Sequence, residues 1–156
     1  MSRKKRQDTI AVKGFFHLQI VDKKTRKIVG DSGLQENVIT NYGLNNCIVA
    51  APIGAASVQA AGMMLGSGTN PASTAIALPL SNTNYYKTFA YSSVIASLTA
   101  RMSQSFDGTL GAATLANIGV FAVSTGSIIA GKTFASSALS TDQDVNCTYE
   151  LRYTTS

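Results

Sequence analysis

The chain has 156 residues and a mass of 16.3 kDa, which suits one domain able to bury a core without disulfide or metal staples. Only 13% of residues are charged and 45% are apolar, with no run near the roughly 20 apolar residues of a membrane-crossing helix, so a β-rich protein buried against neighbours is expected. The net charge of +5 is confined to one end: residues 1–27 hold nine Lys/Arg against Asp8 and Asp22, whereas residues 28–156 hold four basic and six acidic groups.

Residues 1–9 form a basic arm with four consecutive cations at Arg3, Lys4, Lys5 and Arg6. Such a run is a solvated tail or an arm that docks on an acidic partner, either a neighbouring protein subunit or packaged nucleic acid. The run leads into an alternating segment rather than an apolar stretch, so no secretory leader is expected and the chain is read as cytoplasmic until assembled. A single β-rich domain is expected over residues 10–156.

From Ile10 to Val21 the residues alternate, with Val12, Phe16, Leu18 and Ile20 on one face and Lys13, His17 and Gln19 on the other. Period two over this length predicts a strand. The turn residues from Asp22 to Thr25 and a return at Lys27–Gly30 predict a hairpin, and Asp31–Gly33 reads as a break. Thr40 is placed to cap a helix carrying Leu44, Cys47, Ile48 and Ala51, with Pro52 as its stop. Gly43 inside it costs about 1 kcal/mol relative to Ala, which implies close packing on another backbone. Residues 53–61 read as loop, and Gly62–Thr69 as a buried strand ending in a Gly-Ser-Gly turn. No Gly-Lys-Ser/Thr follows that turn, which argues against a phosphate loop.

Asn70–Asn84 carries Pro71, Pro79 and many Ser, Thr and Asn residues, so a long surface loop is expected there. Tyr85, Tyr86, Lys87, Phe89 and Tyr91 follow as a candidate interface, or as packing between sheets. Residues 93–106 read as one long strand burying Val94, Leu98 and Met102, with Ile95 as the single exception to the alternation. Asp107-Gly108 signals a turn. Further strands are expected at Ala116–Val123, Ser127–Phe134 and from Asp142, the last burying Val145, Cys147 and Leu151. Seven or eight strands with one short helix give a mainly β fold, an antiparallel β-sandwich or flattened barrel.

Four segments stand in fixed order: Asn37-Val-Ile-Thr-Asn-Tyr-Gly-Leu44, Met63-Met-Leu-Gly-Ser-Gly-Thr69, Leu115-Ala-Asn-Ile-Gly-Val-Phe121, and the alternating Val145-Asn-Cys-Thr-Tyr-Glu-Leu-Arg-Tyr153. Together they resemble a family of small bacteriophage virion proteins, across about Asn37 to Tyr153. Asn117 departs from that pattern, standing where the family's corner usually has Glu. The resemblance implies a structural component of a virion: a repeated subunit of tail, neck or baseplate, or a capsid-decorating protein. Its partners would be other virion proteins and copies of itself, and the arm allows non-specific contact with nucleic acid.

Convergent chemistry is sparse. His17 stands alone, Asp142 and Asp144 are the nearest thing to a carboxylate pair, and no serine sits in a nucleophile elbow. Cys47 and Cys147 lack metal spacing and read as small buried hydrophobes. No enzyme, cofactor or metal site is expected. Two alternatives stand beside the virion reading: a loop-based module for carbohydrate or host surface, and a capsid protein whose arm contacts nucleic acid.

Overall fold

The computed structural model describes residues 10–49, 59–79, 81–110, 113–122 and 126–155. Among these residues ten strands are present: β1 (Ile10–Asp22), β2 (Ile28–Glu36), β3 (Val38–Ile39), β4 (Ala60–Gly66), β5 (Ser81–Thr88), β6 (Tyr91–Ala96), β7 (Thr99–Asp107), β8 (Ala113–Ala122), β9 (Ile128–Leu139) and β10 (Gln143–Thr155). They make two five-stranded antiparallel sheets, in the orders β2-β1-β10-β7-β6 and β3-β9-β8-β4-β5. The sheets face each other across one core. Phe16 and Leu18 of β1, Phe106 of β7 and Tyr149 of β10 meet Met63 and Leu65 of β4 and Ile118 and Val120 of β8. Phe16 and Tyr149 lie with ring centroids 4.8 Å apart.

The two sheets differ in what covers their outer faces. Period two predicts β1 and β10 because their outer face stays polar: Lys13, His17 and Gln19 alternate with the buried Phe16 and Leu18. β8 is buried on both faces from Asn117 to Ala122, since residues 67–79 fold back across its outer side and bury Leu78 against Phe121 and Ile128. Asn117 ties that loop down. Its side-chain amide donates to the carbonyls of Thr69 (3.0 Å) and Pro79 (2.8 Å). A carboxylate has no proton to give those two oxygens, so an amide and not an acid suits this position.

The helix starts where the sequence places it. Thr40 Oγ1 accepts from Gly43 N (3.1 Å) and donates back to the carbonyl of Ile128 (2.6 Å), so one hydroxyl caps α1 (Asn41–Gly43) and pins it to β9. A Cβ on Gly43 would strike the Ile129 carbonyl, as its cost in a helix implied. The helical run continues as a π-helical segment, Leu44–Val49; Ala51 and Pro52 lie outside the described residues.

The strands number ten among the described residues where seven or eight were expected, and other expectations need correction as well. Residues 31–33 do not end β2; they stay in it as an irregularity, with register shifting between His17/Gln19 and Gly33 at φ 63°. The loop after Asn70 gives way to β5 at Ser81, earlier than the Ser/Thr/Asn composition suggested. Residues 93–106 are not one strand but the β6–β7 hairpin, turning at Ser97 and Leu98 with Ala96 opposite Thr99. Val94 and Leu98, expected in the core, are 74% and 53% exposed. The turn carries no Gly, Asn or Asp, so nothing in its composition interrupts the alternation. Met102, Val145 and Cys147 are buried as expected, while Leu151 is half-buried.

Candidate interaction surfaces

Arg3, Lys4, Lys5 and Arg6 lie outside the described residues. The arm is attached at Ile10, which pairs with Thr155 at the end of the first sheet and is itself 69% exposed.

The aromatic segment divides between core and surface. Tyr85 is wholly buried, with its ring 6.3 Å from that of Phe106, and burial pushes its hydroxyl pKa up. Tyr86, the next residue on β5, points the other way, is 39% exposed and lies edge-on to Phe121. Lys87 donates to the carbonyl of Ser105 (3.1 Å) with its ammonium 5.9 Å from the Phe106 ring centroid, and Phe89 packs half-buried against the main core. Tyr91 opens β6 opposite Ser103; its side chain lies outside the described residues. Alternation explains the split, since neighbours on a strand face opposite sides.

The outer face of the first sheet carries the charge. Glu150, 4% exposed, sits between Arg101 and Arg152, each donating through Nε at 2.9 Å. Desolvation raises the Glu150 pKa, but the two guanidinium forks outweigh it and hold the carboxyl below its ordinary value. Arg152 also stacks on Phe15, 4.6 Å from the ring centroid. Further along, Asp31 is held down to a pKa of about 2 by hydrogen bonds from Gln19, from the backbone of Gly33 and from His17, whose Nε2 lies 2.7 Å away. At the far end Lys23 bridges Asp107 and the carbonyl of Thr141, with Asp144 at 3.7 Å; its hydrogen bond is the main reason Asp107 is held down to about 2.

Among the described residues no three His, Cys, Asp or Glu side chains gather in a way that could hold a metal ion. Both cysteines are free thiols, Cys147 buried and Cys47 half-buried, and burial raises the pKa of each. A buried thiol kept protonated is a poor nucleophile.

Two surface features escaped the sequence. One is the apolar β6–β7 tip, formed by Val94, Ile95 and Leu98. The break in alternation at Ile95 is its only trace in the sequence, and it coincides with the register shift between Val94 and Ala96. The other is a cleft of about 680 Å³ on the side where β2 and β9 edge the two sheets. Leu18, Ile20, Leu115, Phe134, Leu139 and Val145 supply its apolar lining. Both walls are irregular: β2 shifts register against β1 beside Asp31, and β9 shifts against β8 between Leu115 and Asn117. Among the described residues, β9 has no strand on its outer side beyond Gly131, because β3 pairs only with Ala130 and Gly131. A cleft built by two irregular ladders has no signature in composition.

The chain matches no family model, no curated protein and no solved structure.

Proposed function

We propose that this chain is a structural component of a bacteriophage virion. It would be a repeated β-sandwich subunit, placed in the tail, neck or baseplate or decorating the capsid, made in the host cytoplasm and assembled by protein–protein contacts. The observation that carries this reading is the order of the four segments from Asn37 to Tyr153 and the structural work each does: the helix cap at Thr40, the end of β4, the buried β8 and the central part of β10. Exposed apolar side chains at Val94 and Leu98 support a surface meant to be covered. The basic arm would supply a further contact with an acidic neighbour, protein in preference to nucleic acid.

A carbohydrate-binding reading would need Tyr85, Tyr86 and Tyr91 as platforms on which sugar rings stack, and Tyr85 is inside the core. The test is direct. Mass spectrometry of purified particles should find the chain at a fixed stoichiometry, and particles made without it should be defective in assembly or take up added protein. Absence from particles, with no binding of added protein, would reject the role.

A further inference from the structure

The β6–β7 tip is unusual in three independent ways. It presents Val94, Ile95 and Leu98 to solvent at 74%, 39% and 53% exposure, with no charged residue anywhere from Tyr91 to Ala100. Leu98 holds a left-handed backbone at φ 61°, a conformation that costs a branched aliphatic residue of order 1 kcal/mol and that Gly or Asn adopts freely. The tip is also fixed in place, because the Leu98 carbonyl accepts from Tyr153 N (2.8 Å) and so joins the ladder to β10. An exposed leucine in a strained turn does nothing for the isolated fold.

A matching hollow lies diagonally across the first sheet. The tip projects beside Arg152 and Lys13, near the Ile10 end, on edge strand β6. The cleft opens along β2, the opposite edge strand, toward the other end, beside Ile20, Gly30 and Asp31, with the buried Leu18 and Val145 lining its depth. Its volume of about 680 Å³ accommodates a few aliphatic side chains, and its lining is mostly apolar. Knob and hollow on opposite corners cannot satisfy each other within one chain, and they do not define a two-fold contact. Repeating one contact between them from copy to copy generates a ring or a helical stack.

We propose that the β6–β7 tip of one copy inserts Leu98 and Val94 into the β2/β9 cleft of the next, giving a head-to-tail interface between identical subunits. This rests on reading the chain as a repeated subunit, and its test separates the two. Two variants of the full chain carry it: Leu98→Asn, which suits the left-handed turn but removes the apolar knob, and Ser136→Trp, which fills the cleft from its exposed rim. Sedimentation should show wild type associating as concentration rises, and each variant at least ten-fold weaker with an unchanged circular dichroism spectrum. Mixed together, the variants retain one intact knob and one intact cleft, so the mixture should stop at a heterodimer.

A wild-type chain that stays monomeric to millimolar concentration, or variants that associate like wild type, overturns the interface. If the interface fails while the chain is still found in particles, the virion role stands without it. If the mixed heterodimer forms but the chain is absent from particles, the interface stands and the virion role falls.

Discussion

Asn117 and Thr40 show how single polar side chains organise this fold from inside it. Both are fully buried, and each joins segments far apart in sequence through a proton it donates to a backbone carbonyl. Replacing Asn117 by Asp sets a carboxylate against two carbonyl oxygens, so N117D should cost about 3 kcal/mol and loosen residues 67–79, read as a lower urea midpoint and faster amide exchange in that loop. Thr40→Val loses both the cap and the donor and should cost about 2 kcal/mol in the same measurement. At the surface, Asp31 and Asp107 both fall from an ordinary 3.8 to about 2 in the folded chain. Each therefore binds its proton more weakly folded than unfolded, and the stability it contributes is whole above about pH 4 and is lost as pH falls toward 2. Melting temperature should hold between pH 7 and 5 and decline below 4, and D31N should flatten part of that decline.

Among the elements, β1 and β10 were legible because one face is core and the other is water, which writes period two directly into the sequence. The cap at Thr40 and the close approach at Gly43 were legible too, each resting on a local rule that the surroundings do not override. The β6–β7 hairpin was not. Its turn uses Ser97 and Leu98, which keep the alternation, so apart from the break at Ile95 the pattern describes one strand where the chain makes two. The candidate interface at Tyr85–Tyr91 was half legible: composition flags the aromatics, but alternation sends Tyr85 inward and Tyr86 outward. The cleft depends on two register shifts in strands far apart in sequence, a tertiary fact no window of residues contains. Relieving the turn gives a check on this scale: Leu98→Gly should leave the isolated subunit's stability within about 1 kcal/mol of wild type, with lost strain offset by a more flexible unfolded chain.

For the whole molecule, charge decides what the arm can meet. Residues 10–156 carry nine basic and seven acidic groups, so the body of another copy offers the cations of Arg3 to Arg6 no net attraction. On the virion role proposed above, an acidic surface from a different component would be the better counterpart. Because the β1 ladder begins at Ile10, deleting residues 2–7 should leave the urea midpoint unchanged while lowering incorporation into particles. A truncated chain that assembles as well as the full one, or one that fails to fold, contradicts this account of the arm.

The pairing of β1 with β10 runs unbroken from Ile10 opposite Thr155 to Asp22 opposite Gln143, and it lies inside its sheet, not at its edge. A ribosome therefore releases the first strand long before its central partner exists. Until β10 emerges, β1 has only β2 beside it within its sheet, and the sheet cannot close around its middle. Folding is then governed by a contact between the two extremes of the described chain, which places its rate toward the slow end for single domains, on the order of milliseconds to seconds. A copy lacking β10 would leave β1 and β7 with unpaired edges facing each other and half of the core uncovered, the form of the chain most open to aggregation.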